Sequence, residues 1–292
     1  MCTEKGSERL PAKKFDRRQF ALLTGSAALA ACTRMDGPAL GERAAGALSE
    51  SQVLIDTSDG KADGFFVHPA TGEHPAVLVW PDIAGLRDAF RMMARRLAEQ
   101  GYAVLVVNPY YRDVVGEQFA DFAAFRSEGG FQRVGPWRSR LEAPAIMRDA
   151  QVLGGWLDAQ EGVDSRAGIG TQGYCMGGPF TFWTAAAVPS RVRAAASFHG
   201  GGLVREGEAS PHALVDETNA SFLVAVAQDD HEESPETTET LREVFAHSSN
   251  RGEVEVYPAD HGWTVPDSPA YDRQAAERAW ARLLALYDRA LG

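Results

Sequence analysis

Three groups able to do chemistry together fall at separated points of the chain. The run Ile169-Gly170-Thr171-Gln172-Gly173-Tyr174-Cys175-Met176-Gly177-Gly178 starts apolar and breaks into glycines around one cysteine. Its pattern predicts a strand, a one-residue corner and the first turn of a helix, with Gly173 and Gly177 two residues either side of Cys175. A nucleophile on such a corner needs flanking residues without a Cβ, and the positive end of the following helix favours a thiolate. A buried cysteine in an ordinary glycine-rich turn would share this local sequence, so Cys175 needs partners. An acidic pair, Asp229-Asp230, follows the apolar run Ser221-Phe222-Leu223-Val224-Ala225-Val226-Ala227, and His261-Gly262-Trp263 follows Val254-Glu255-Val256-Tyr257-Pro258. His261 is the residue type that takes and returns a thiol proton, and a carboxylate behind it fixes its tautomer and stabilises the imidazolium. Asp229 is assigned that part.

These groups meet only if one sheet gathers them at one end. Ala76-Val77-Leu78-Val79-Trp80 is apolar throughout, as expected of a strand covered on both faces, and Ala103-Val104-Leu105-Val106-Val107 repeats the pattern. Between them Phe90, Met93, Ala94 and Leu97 recur at helical spacing. An opening hairpin with its turn at Asp59-Gly60 precedes this unit. Further strands are predicted over 192–198, ending at His199-Gly200-Gly201-Gly202, over 221–227 and over 254–258, with helices over 143–157, 235–246 and 271–291. This is an α/β fold with a doubly wound, mostly parallel sheet and helices on both faces, and the carboxyl ends of its strands are where sites assemble. Residues 109–140 interrupt the rhythm with seven aromatic residues and five arginines. They read as an insertion forming a lid over a pocket, since long excursions in compact domains are usually functional.

Composition narrows the partners. With 45% hydrophobic and 24% charged residues in 292, one large soluble domain accounts for the chain. The first 32 residues hold six Lys and Arg against three Asp and Glu, leaving the remainder at a net charge of −14. Such a body repels nucleic acid and anionic lipid, so a small molecule is the expected partner. Cys2, Cys32 and Cys175 share no metal-binding spacing, and no metal or other cofactor is expected. Residues 1–32 read as an export signal: a basic stretch with Lys13, Lys14, Arg17 and Arg18 precedes a short apolar run from Phe20 to Ala31. Arg17-Arg18 resembles a twin-arginine signal, and Leu29-Ala30-Ala31-Cys32 resembles a lipobox, making Cys32 a lipidation candidate. Residues 33–50 then read as a tether before a domain spanning 51–292. The expected location is the periplasm, or a membrane reached through the lipid alone.

The order nucleophile, acid, histidine is that of the α/β-hydrolase fold. Gly173-Tyr174-Cys175-Met176-Gly177-Gly178, the Asp82-Ile83-Ala84-Gly85 loop, Gln228-Asp229 and His261-Gly262 together resemble the dienelactone hydrolase family over nearly all of residues 50 to 291. The resemblance implies that Cys175, His261 and Asp229 cleave a lactone or activated ester by acyl transfer, Asp229 being preferred to Asp230 from the Gln-Asp spacing. It implies that Ile83 and Met176 supply backbone N–H groups to an oxyanion hole. It also implies that Asp82, where the family commonly has Glu, contacts the resting thiol. Tyr110, Arg138 and Trp263 are the candidates to line the substrate pocket. Founding members hold a substrate carboxylate with arginines, one of them four residues past the histidine, where this chain has Val265. Neutral substrates are therefore expected to react at least as well as anionic ones. The alternatives are a general carboxylesterase or thioesterase of the same fold, or a non-catalytic periplasmic binding protein with a relic or redox-active Cys175.

Overall fold

A computed structural model describes residues 46–292. The expectations placed on Arg17, Arg18, Cys32 and most of the tether lie outside the described residues. The tether ends earlier than expected: Leu48, Ser49 and Glu50 already belong to the first strand.

Eight strands form one sheet: β1 (Leu48–Thr57), β2 (Gly60–Pro69), β3 (Ala76–Trp80), β4 (Ala103–Val107), β5 (Ile169–Tyr174), β6 (Val192–Phe198), β7 (Ser221–Ala227) and β8 (Gly252–Tyr257). Their spatial order is β1-β2-β4-β3-β5-β6-β7-β8. Only the pairings of β2 are antiparallel; from β4 to β8 every neighbour is parallel. Parallel strands need a crossover between them, and here the crossovers are helices laid on both faces.

Strand periodicity explains the two cores. On β3, Ala76, Leu78 and Trp80 enter one hydrophobic cluster while Val77 and Val79 enter the other, and β7 divides Phe222 and Val224 from Leu223, Ala225 and Ala227 in the same way. One face is covered by α1 (Asp88–Ala98) and α8 (Arg273–Ala290), which contribute Phe90, Leu97, Leu283 and Tyr287. The other is covered by α4 (Ala143–Asp158), α5 (Gly178–Ala187) and α7 (Pro235–His247), through Ile146, Leu153, Phe182 and Leu241. Both faces are dry, and that is why the strand sequences read as unbroken apolar runs.

The insertion holds two short helices, α2 (Phe122–Ser127) and α3 (Gly130–Arg138). Phe119, Phe125 and Val134 are buried in a local core continuous with the α4 side of the sheet. Most of its arginines serve structure: Arg112 grips Asp149 at 2.6 and 2.8 Å, Arg133 pairs with Glu128, and Arg140 with Asp113. Phe131 stays 57% exposed and, with Arg138, faces a cavity. The insertion thus extends the α4-side core, and its α3 edge forms one wall of that cavity.

Candidate active site

Cys175 sits where β5 ends and a single 3₁₀ turn, Cys175–Gly177, leads into α5. Its φ of 51° lies in the left-handed region, strained for a residue with a side chain. The neighbouring glycines explain how the turn closes: a Cβ at Gly173 would lie 2.0 Å from the Gly177 carbonyl oxygen, and one at Gly177 would lie 2.5 Å from that of Trp80. Both contacts are too short for any other residue, so the corner is specified by its sequence.

His261 lies in the turn just past β8, partly exposed, with Asp230 hydrogen-bonded to its ring and Cys175 near enough to favour its protonated form. Nδ1 stands 2.8 and 3.0 Å from the two Asp230 carboxylate oxygens. Burial by itself would lower the ring's pKa, but the bond to Asp230 and the nearness of Cys175 outweigh it and push it up to about 10. The expected partner, Asp229, does not touch the ring; its Oδ1 accepts the backbone N–H groups of His261 at 2.8 Å and of Asp230 at 3.0 Å. The reason is local. A helix, α6 (Gln228–Glu233), begins directly where β7 stops, so side chains step by helical rotation instead of strand alternation. That rotation presents Asp230 to the imidazole and leaves Asp229 to pin the loop carrying it.

A cavity of about 670 Å³ opens over Cys175, lined by Ile83, Met176 and His261 on the reacting side and by Phe131, Leu141, Phe180 and Trp183 on the apolar side. Arg138 and Arg205 also line it. Among the described residues neither guanidinium pairs with a carboxylate: Arg205 donates from Nε to the Gly202 carbonyl and lies over the Trp183 ring at 5.1 Å. Burial and the nearby Arg138 charge both lower the pKa of Arg205, the mark of two cations sharing one space. Arg205 went unnoticed in the sequence, although its position just past the glycines that end β6 is a strand-end position of the kind that builds sites.

Three other expected positions differ. Asp82 does not serve the thiol: it is buried, forks with Arg87 at 2.7 and 2.9 Å and accepts the Ala84 N–H. Arg87 in turn grips Asp267, which also accepts the Phe122 N–H at the start of α2. Tyr110 is buried behind the cavity wall, its hydroxyl donating to the Ile83 carbonyl at 2.8 Å and lying 3.3 Å from the Met176 sulfur. It braces the two segments expected to carry the oxyanion donors. Trp263 is fully buried, stacked on Tyr257 at 5.2 Å, because the turn after His261 folds its indole back into the α1–α8 core. Among the described residues no group of three His, Cys, Asp or Glu side chains is placed to hold a metal, and no helix is long and apolar enough to cross a membrane.

The chain matches the model of the dienelactone hydrolase family over residues 62–291. A Salmonella typhi protein with the provisional name carboxymethylenebutenolidase is 26% identical over 245 residues, covering 82% of this chain and 87% of its own. The carboxymethylenebutenolidase of Rhodococcus opacus is 25% identical over 228 residues, 76% of this chain and 83% of its own. Among solved structures, a Klebsiella pneumoniae protein provisionally described as a dienelactone hydrolase superposes with a TM-score of 0.69 at 24% identity, covering 83% of this chain and 99% of that one. With the match running over all but the first strand of the sheet, the chain belongs to the dienelactone hydrolase family and is a hydrolase of ester bonds.

Proposed function

We propose that Cys175, His261 and Asp230 act as nucleophile, base and orienting acid in the cleavage of an anionic ester or lactone. The observation that carries the reading is the position of His261 between the Asp230 carboxylate and Cys175, at the floor of a cavity whose rim holds Arg138 and Arg205. The Cys175 sulfur attacks the carbonyl carbon with its proton already held by His261, and the carbonyl oxygen becomes an oxyanion met by the Met176 and Ile83 backbone N–H groups. Collapse of that intermediate breaks the ester C–O bond, and His261 returns the proton to the departing oxygen. The thioester left on Cys175 is then hydrolysed by a water that His261 deprotonates.

Arg138 and Arg205 would take the carboxylate-holding part that Val265 cannot. An anionic group on the substrate would enter between two cations that have no carboxylate of their own among the described residues, and so would restore the charge balance there. This revises the sequence-based preference for neutral substrates. We further propose that the domain works outside the cytoplasm, brought there by Arg17-Arg18 and held by lipid on Cys32; mass spectrometry of the mature protein tests this, a diacylglyceryl cysteine at the N-terminus supporting it and an unmodified chain starting at Met1 refuting it.

The enzymatic test is a matched panel of neutral and carboxylate-bearing aryl esters and lactones, with intact-mass detection of an acyl adduct. A Cys175→Ala variant that folds and turns over the panel at the wild-type rate would remove the nucleophile assignment.

A further inference from the structure

His199 has no part in the reaction just described, yet it is buried and both of its ring nitrogens are hydrogen-bonded. It follows β6, is 1% exposed, and adopts a φ of 40°. Non-glycine residues enter that region rarely, and the strain persists only where surroundings impose it. Here they do. A Cβ at Gly178 would come within 2.5 Å of the Gly200 Cα, so the end of β6 and the start of α5 touch backbone to backbone. That contact drives the His199 ring beneath the corner that carries Cys175.

The ring's hydrogen bonds fix its state. The backbone N–H of Cys175 points at Nδ1 from 3.1 Å, and an amide N–H can only donate, so Nδ1 bears no proton. In a neutral imidazole the proton is then on Nε2, which donates to Thr264 Oγ1 at 3.0 Å. The ring lies 4.8 Å from the His261 ring, tilted by 58°, and meets the Trp263 indole edge-on at 5.2 Å. We propose that His199 is a positioning residue for the ester cleavage: as a neutral Nε2–H imidazole it holds the strained Cys175 backbone through Nδ1 and gives His261 an uncharged wall to turn against. Burial first, and the His261 charge second, push the His199 pKa well below the ordinary histidine range, in keeping with that neutral state. The inference rests on Cys175 being the nucleophile.

Two pairs of substitutions separate this role from simple packing. His199→Asn keeps an acceptor atom at the Nδ1 position and tolerates the left-handed backbone, whereas His199→Phe keeps an aromatic ring, somewhat larger than the imidazole, but presents no acceptor. A packing role favours Phe; the positioning role favours Asn. The probe substrate is p-nitrophenyl acetate, and the rate of carbamidomethylation of Cys175 by iodoacetamide, read by peptide mass spectrometry, supplies a measure that needs no substrate. Misplacing a nucleophile by an ångström costs on the order of 100-fold, so His199→Phe is expected to lose roughly 30- to 100-fold in kcat with KM within about threefold, and His199→Asn to keep kcat within about fivefold. Thr264→Val, which removes the Nε2 partner without altering shape, should fall roughly tenfold, and Thr264→Ser should recover most of the loss. This second pair stands if His199→Phe does not fold. A Phe variant as active as Asn, or a Thr264→Val variant at the wild-type rate, overturns the proposal. Loss of activity in Cys175→Ala together with wild-type rates in all four variants would leave the nucleophile in place and end the role of His199 alone.

Discussion

At the reacting end of the cavity, Cys175, His199, His261, Asp229 and Asp230 all hydrogen-bond within the protein, and the backbone is strained at both Cys175 and His199. At the other end, Arg138 and Arg205 face the cavity with no carboxylate among the described residues, beside an exposed Phe131. The proposed reacting groups stand at or just past strand ends whose positions are fixed by the sheet, and the proposed binding groups stand on the insertion and on the loop after β6. A chemical step tolerates little displacement, so it is built where the core over-determines geometry; recognition needs groups whose bonds are still to be made.

The sharpest way to break this comparison is at the acid. Asp230→Asn should lower kcat by about 10⁴-fold, the scale seen when a triad loses the carboxylate behind its histidine, while Asp229→Asn should cost much less because it removes only an acceptor for two backbone N–H groups. Steady-state kinetics on both variants decide the matter, and the reverse order would return the role to Asp229.

Next in size is the buried ion pair that joins the two ends. Arg87 is fully buried between Asp82, next to the Ile83 segment, and Asp267, whose other partner is the first residue of α2. Arg87→Met leaves a buried carboxylate without its cation, a defect that costs about 3–5 kcal/mol. Urea unfolding should register the loss, and a change under 1 kcal/mol, roughly what a surface pair contributes, would mean that the network is incidental.

The same contrast governs what could be read before the fold was known. The placement of Cys175 on a tight corner and of His261 past a strand was legible because glycine spacing and strand ends are local signals, and the sheet was legible because both of its faces are dry. Which member of the acidic pair bonds the His261 ring was not legible, since the sequence does not say where β7 stops alternating and α6 begins to rotate; the ring bonds Asp230, and Asp229 accepts the His261 N–H. Asp82 was missed because Arg87 lies five residues on and Asp267 nearly two hundred, and only folding brings the two carboxylates to one guanidinium. Trp263 and Tyr110 are strand-end aromatics that look like pocket walls in sequence; the direction of one turn and of one hydroxyl sends them behind it.

At the binding end, Arg138→Ala and Arg205→Ala should each reduce kcat/KM for a carboxylate-bearing ester by about tenfold and leave its neutral analogue within about threefold, the scale of one charge pair in a partly wet site. Added salt should shrink the wild-type preference, because exposed charges are screened. Equal losses on both substrates would assign the two arginines to structure and restore the expectation drawn from Val265.

The smallest effect expected is a displacement along the pH axis. His261 holds its proton up to about 10 in the folded protein, against 6.5 for the free side chain, because Asp230 and Cys175 both favour the imidazolium and together exceed the cost of burial. The sign follows from the direction of the shift. A proton held more tightly in the folded state contributes stability that is complete below about pH 6.5 and disappears as pH rises through about 10. Activity should fall across the same upper range, since His261 must carry a proton to the departing oxygen. Replacing the thiol by a hydroxyl in Cys175→Ser removes the negative partner on one side, so the ring should titrate at lower pH, by about one unit, with Asp230 still in place. NMR of the His261 ring across pH, wild type against Cys175→Ser, measures the displacement directly. An unchanged midpoint would mean that the thiol and imidazole do not share their proton, and the reacting end would then be as loosely coupled as the binding end.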